Sequence, residues 1–282
     1  MTVPHRTVPH RAYTVFQGRA GDHNDLAIPA AQALGAALAR RSGQAPVVIG
    51  TPEPALNTGW RTELAAALPQ LQALQRHFET VAASDAISIA ATSRCAVSLA
   101  TLPVIATYYP GACIVWFDSH ADLNTPEVSR SGYLGGLALA APAGLWESGL
   151  GAGLGLDQIV LVGQRDLDPF EQNLITTNAI PHLKPGPDLD GRLRAAIAGR
   201  PVYMHLDCDV LNPGIVPTDY VHDGGLTLAD LRACCEVIAE GAFIGLEIAE
   251  LQIAWQAGGP PVSHAPLLEA LEPLLSPLPI LR

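Results

Sequence analysis

Seven short, almost wholly apolar runs punctuate this chain, each followed by a longer segment of different pattern. They are Tyr13–Gln17, Pro46–Ile49, Ala86–Ala90, Cys113–Phe117, Gln158–Val162, Val202–Leu206 and Phe243–Glu247. A run of four or five residues without polar alternation reads as a strand buried on both faces. Such strands, spaced by helices, build a parallel sheet covered on two sides. Helices are expected over Asp25–Arg41, Arg61–Thr80, Ala96–Thr107, Asp188–Ala198, Thr227–Ala239 and Pro266–Leu275. With right-handed crossovers, the expected fold is α/β: a single three-layer α/β/α domain with a mostly parallel sheet. Of the 282 residues 49% are hydrophobic, enough to bury a core of that size.

The domain is expected to occupy residues 13–282, preceded by an extended arm over residues 1–12. In the arm Thr2-Val-Pro-His-Arg6 is repeated as Thr7-Val-Pro-His-Arg11, and two prolines without apolar periodicity do not make a packed element. The Gly-rich stretch Gly149–Gly155 lacks the order of a dinucleotide-binding turn and reads as a loop. The formal net charge is −11, with Lys184 the single lysine and no cluster of basic residues. That argues against nucleic acid or an anionic membrane as partner and suits a cationic substrate or bound cations. The richest apolar stretch, Leu134–Leu145, is interrupted by glycines and Pro142, so no membrane span is expected. Five cysteines without a CxxC pair or a secretory signal point to a reducing, cytoplasmic setting.

In a parallel α/β sheet, ligands bind beyond the carboxyl ends of the strands. Three of the expected strands run there into acidic motifs. The first is Asp118-Ser-His120-Ala-Asp122-Leu-Asn124-Thr-Pro, two carboxylates and an imidazole suited to a hard or borderline cation. In the second, His205-Leu-Asp207-Cys-Asp209-Val-Leu-Asn-Pro213, strand alternation places Asp207 and Asp209 on one side and Cys208 on the other. Two like charges so close at a buried strand end repel, and a cation removes that penalty. The third, Leu246-Glu247-Ile-Ala-Glu250, offers Glu250 to a cationic group, with Glu247 as a structural partner.

Taken in order, these motifs resemble the ureohydrolase family of arginases and agmatinases, from about the strand before Cys95 to beyond Glu250. The resemblance implies an arginase-like sheet and a cluster of two Mn²⁺. Asp118 and Asp207 would bridge the metals, His120 and Asp209 would complete one site, and Asp122 would help complete the other. A hydroxide held between two cations is a strong nucleophile near neutral pH, and the family's reaction is its attack on a guanidinium carbon. Glu250 would hold the guanidinium and Asp122 would receive the hydroxide proton. The segment Gly163-Gln-Arg165-Asp166-Leu-Asp168-Pro-Phe-Glu171 is similar to the arginase segment that binds the substrate α-amino group, through Asp168 and Glu171. A capped turn opening a helix is the structural alternative for these carboxylates. Asn124 and Ser131 match positions that recognise the α-carboxylate, which agmatine lacks. A homo-oligomer is the further partner the resemblance implies.

Two departures qualify the resemblance. Where the family places a metal-ligating histidine, this chain reads Thr92-Ser93-Arg94-Cys95, so Cys95 is the candidate ligand; a thiolate is softer and admits another divalent metal, and the alternative is a buried, inert cysteine with a weakened or empty first site. Where arginases carry a proton-shuttling histidine stands Gly135. The runs Cys95–Pro103 and Gly132–Gly136 resemble instead the hydroxy-arginine hydrolases of D-cycloserine biosynthesis, which release hydroxyurea and ornithine. The expected reaction is therefore hydrolysis of Nω-hydroxy-L-arginine. An ordinary arginase, an agmatinase-like guanidino hydrolase and a degenerate, non-catalytic ureohydrolase are the alternatives. A single-zinc deacetylase-like site is more distant, because the second pair, Asp207 and Asp209, calls for two metals. His182, His222 and His264 are assigned no role.

Overall fold

The structure is a computed structural model and describes residues 10–276. Eight parallel strands form one sheet in the order β2-β1-β3-β8-β7-β4-β5-β6. They are β1 (Arg11–Phe16), β2 (Val47–Ile49), β3 (Ile87–Ala91), β4 (Cys113–Phe117), β5 (Ile159–Val162), β6 (His182–Leu183), β7 (Val202–Asp207) and β8 (Phe243–Ala249). The helices are α1 (Ala27–Ser42), α2 (Trp60–Ala83), α3 (Ser98–Tyr108), α4 (Pro169–Thr177), α5 (Leu189–Ile197), α6 (Leu228–Ala239), α7 (Ala265–Ala270) and α8 (Glu272–Leu275).

The strands are apolar throughout because both faces are covered. On one face Val115, Met204 and Leu246 pack with Leu34 of α1, Leu193 of α5 and Ile238 of α6. On the other, Ile114, Trp116 and Tyr203 pack with Leu71 and Phe78 of α2 and Leu102 of α3. Burying a Leu or Phe side chain contributes roughly 1.5–3 kcal/mol, so these two layers hold the sheet as the middle of a sandwich. Among the described residues no helix is long and apolar enough to cross a membrane.

Some elements differ from the sequence-based expectation. β1 begins at Arg11, inside the expected arm; the rest of the arm, with its repeated histidines, lies outside the described residues except for His10. The expected helix Pro266–Leu275 is two short helices, since Pro273 has no N–H to donate and sits in the first turn of α8. α4 and β6 are not among the expected elements; α4 opens at the turn Asp168-Pro-Phe-Glu171, for which a capped helix start is the alternative reading, and a two-residue edge strand leaves no pattern. Gly149–Gly155 is a loop, as expected.

Strand register positions the site. Phe117 of β4 pairs with Val162 of β5 and Leu206 of β7, Leu206 with Ile248 of β8, and Ile248 with Ala91 of β3. Five strands therefore end on one level row, and the residues that follow emerge together at the carboxyl edge. That is why motifs far apart in the chain share one crevice.

Candidate functional site

The segments leaving these strand ends line a cavity of about 180 Å³, to which Cys95, Asp122, Asp168, Asp207 and Glu250 all contribute. His120, Asn124, Ser131 and Glu171 line it as well. Asp118 lies beneath, fully buried, and Asp209 is nearly so.

From β4, Asp118 is fixed on both oxygens. The indole Nε1 of Trp116 donates to Oδ2 at 2.9 Å and the His120 amide to Oδ1 at 2.7 Å. His120 Nδ1 stands 3.2 Å from Asp118 Oδ1 and 3.2 Å from Asp209 Oδ2. Burial opposes a charge on His120, but the two carboxylates outweigh it and raise its pKa. From β7 the alternation predicted through Asp209 stops at Asp207. Cys208–Val210 forms a single 3₁₀ turn, closed by the Asp209 amide donating to Asp207 Oδ1 at 2.7 Å. The turn, rather than the pleat, aims Asp209 at His120, while Cys208 points into the core. Arg165 braces this turn by donating through Nη2 to the Asp209 carbonyl at 2.7 Å.

Cys95 opens the turn into α3 and is buried with Sγ 3.1 Å from Asp207 Oδ2 and 3.2 Å from His205 Nε2. Burial and the surrounding carboxylates, Asp207 first, push its thiol pKa well up. His205 had no role in the sequence reading. Its Nδ1 meets Glu247 Oε1 at 2.8 Å, and its ring stacks on Trp116 at 3.5 Å and 5°. Glu247 takes further hydrogen bonds from Ser98, from Thr101 Oγ1 at 2.8 Å and from the Tyr203 hydroxyl at 3.1 Å. It lies within β8, fully buried, and does not line the cavity.

Charge explains what such a cluster can hold. Burial, then repulsion from Asp209, raises Asp118 to about 6; Asp122 and Asp207 are pushed well up by burial and their acidic neighbours. Asp209 is instead held below its ordinary value, because His120 and the Ser119 amide outweigh burial. Ligand atoms converge within 4.8 Å in the groups Asp118–His120–Asp209, Cys95–Asp118–His205 and Cys95–Asp207–Glu250. Asp118 and Cys95 each belong to two of them, and Asp207 to one. Asp122 lines the cavity outside these groups. Crowded buried carboxylates with two imidazoles and one thiol fit divalent cations, which would reverse the pKa shifts. Asp122 and Glu250 both adopt left-handed backbone, at φ 52° and 61°. Non-glycine residues pay for that conformation and hold it where surrounding structure demands it.

At the cavity's other end, Asn124 Nδ2 donates to Asp168 Oδ2 at 3.0 Å. Glu171 takes the structural alternative: its oxygens accept the amides of Leu123 and Asp168, each at 3.0 Å, tying the loop after β4 to the start of α4. Burial raises it to about 7. Ser131 Oγ accepts the Tyr133 amide at 3.2 Å. Tyr133 and Tyr220 complete the wall, and the His222 ring lies 5.2 Å from that of His120. Tyr133 lies in the run Gly132–Gly136 singled out in the sequence, whereas Tyr220 and His222 carried no signal there. Gly135 explains Tyr133: a Cβ at Gly135 would collide with the Tyr133 ring, so the glycine that removes a histidine also admits a tyrosine.

Comparison with known proteins gives one consistent result. The arginase family model matches residues 20–259. The chain is 39% identical over 237 residues to the N(omega)-hydroxy-L-arginine amidinohydrolase of Streptomyces lavendulae, covering 84% of this chain and 87% of that one. It is 30% identical to an arginase of Glaciozyma antarctica over 55% of this chain and 51% of that one. Among solved structures, arginase from Bacillus cereus superposes with a TM-score of 0.80 at 21% identity, over 95% of this chain and 98% of that one.

Proposed function

Since the chain belongs to the arginase family, whose members hydrolyse guanidino groups with two metals, we propose that it converts Nω-hydroxy-L-arginine and water into hydroxyurea and L-ornithine. The observation that carries the reading is the Tyr133 ring packed over Gly135, which leaves no room for a shuttling histidine. A hydroxyguanidine is less basic than a guanidine, and its carbon is attacked with less proton assistance. The 39% identity to an amidinohydrolase of that substrate supports the same choice.

Cys95, Asp118, His120, Asp122, Asp207 and Asp209 would hold the cations, and the dominance of oxygen donors favours two Mn²⁺. When bound, the cations supply Lewis acidity and an activated water at neutral pH. The Asp122 carboxylate takes a proton from the attacking water and returns it to the departing δ-nitrogen as the carbon–nitrogen bond breaks. Glu250 orients the head group; Asp168, with Asn124 and Ser131, holds the amino-acid end. Glu171 keeps Asp168 in place rather than touching substrate. Tyr133 and Tyr220 wall the head group from water. The reduced state of all five buried cysteines suits a cytoplasmic enzyme.

The test is ornithine release by manganese-loaded protein, with arginine and Nω-hydroxy-arginine compared under identical conditions. Strong preference for the hydroxylated substrate is expected. Equal or better turnover of arginine overturns the assignment.

A further inference from the structure

The carboxylate placed to meet a substrate's guanidinium already meets one of the chain's own. Arg94 Nη1 lies 2.8 Å from Glu250 Oε2. The other oxygen, Oε1, accepts the Cys95 amide at 2.8 Å and the Tyr133 hydroxyl at 3.3 Å. Both lone-pair edges of Glu250 are thus engaged before any ligand arrives. Arg94 itself is wholly buried. Its Nε donates to Asp22 Oδ1 at 3.0 Å, and Nη1 also reaches Asp219 Oδ2 at 3.2 Å. Burial opposes the guanidinium charge, yet Glu250 and Asp22 outweigh it, so Arg94 stays cationic.

A buried guanidinium in that place has an electrostatic consequence for whatever the cavity binds. Neither Asp22 nor Asp219 lines the cavity, and Asp219 is a partly exposed carboxylate shared with His23 and Asn24. Glu250 is the one partner of Arg94 that also lines the cavity. An incoming cation would compete with Arg94 for Glu250 and be repelled by it at short range, where the low dielectric magnifies both effects. A neutral head group of the same shape keeps the hydrogen bonds and avoids the repulsion.

Building on the guanidino-hydrolase reading, we infer that Arg94 determines specificity: it compensates Glu250 and tilts the cavity from guanidinium cations toward neutral head groups, such as an unprotonated N-hydroxyguanidine. Arg94 is a positioning residue, acting on substrate through Glu250.

The test uses manganese-loaded full-length protein and two isosteric probes, arginine with its cationic head and citrulline with a neutral ureido head. Apparent dissociation constants come from the rise of melting temperature with probe concentration, which also shows that each variant is folded. Wild type is expected to bind arginine no more than about threefold tighter than citrulline; a preference above about tenfold overturns the inference. Arg94→Gln should shift the ratio toward arginine by about tenfold or more, and Arg94→Lys, which keeps the charge, should stay within about threefold of wild type. A folded Arg94→Gln protein with the wild-type ratio overturns the inference, as does a Lys variant that shifts like Gln. Because Arg94→Gln leaves Asp22 buried without its cation, the pair Arg94→Gln with Asp22→Asn serves if the single variant does not fold; the same shift is expected and its absence counts the same. Failure here is separable from failure of the substrate assignment. Hydroxyurea release with an unmoved ratio keeps the assignment and removes Arg94 from it. A moved ratio without hydroxyurea release does the reverse.

Discussion

On the His120 side of the acidic cleft an imidazole lies between two carboxylates and keeps 23% of its side chain in solvent. On the Cys95 side a thiol lies between a carboxylate and the imidazole of His205, whose side chain is wholly buried. The first half is made mostly of residues within one short loop of β4, and its polar groups hold one another. The second is assembled from three strand ends and is backed by Glu247, which takes hydrogen bonds from His205, Ser98, Thr101 and Tyr203. The difference teaches that the half departing most from the arginase pattern is also the one with the densest supporting shell. Behind Cys95 the His205 ring stacks flat on Trp116 at 3.5 Å. A thiol among carboxylates, with its pKa pushed up, needs either a proton or a metal, and the locked imidazole beside it holds Sγ in one place.

Substitutions can break that contrast, and the largest effect should come from the residue both halves share. Asp118→Asn should lower kcat with Nω-hydroxy-arginine by about a thousandfold or more and reduce bound manganese in both halves. Turnover within tenfold of wild type would remove Asp118 from the bridging position. Cys95→Ser should cost less, about a hundredfold, and leave close to one manganese per chain by elemental analysis, because the His120 half keeps its ligands. Two retained metals would show that Cys95 is a spectator.

Glu247→Gln reaches the Cys95 half only through His205 and sharpens the comparison. It should weaken manganese affinity of the Cys95 half by about 10- to 100-fold, the range for supporting partners of metal sites, and leave the other half unchanged. Manganese titration followed by metal analysis separates the two; an equal loss in both halves would make the shell a general packing device. The smallest effect is on stability against pH in metal-stripped protein. Asp118 at about 6 and Glu171 at about 7 both lie above their ordinary values of 3.8 and 4.5. The folded chain therefore binds protons that the unfolded chain releases, and their contribution is full at low pH and lost as pH rises through those values. Melting temperature of the stripped protein should fall between about pH 5 and pH 8, while stabilisation by added manganese should grow over the same window, since metal needs the deprotonated ligands. A flat or rising profile without metal would contradict the burial of these carboxylates.

Much of the architecture is legible one segment at a time. The run Cys113–Phe117 reads as a buried strand without knowledge of its neighbours, and β4 occupies those residues. The acidic motifs follow from the same reading, because a strand that ends in Asp118-Ser-His120 delivers its polar groups to the carboxyl edge whatever lies beside it. Cys95 and Gly135 were legible as departures from a family pattern. Their meaning was not, since neither residue states what fills the space it leaves.

The sequence by itself determined a parallel α/β sheet, its acidic edge and the chemistry those donors suit, because strand burial and motif spacing are local properties of the chain. Only the tertiary structure decided that His205 backs Cys95, that Tyr133 fills the space over Gly135 and that Arg94 pairs with Glu250. The first and last of these join residues 110 and 156 positions apart, and all depend on side-chain direction at the strand ends. Strand order and register set those directions, and both come from packing the whole sheet between its two helical layers.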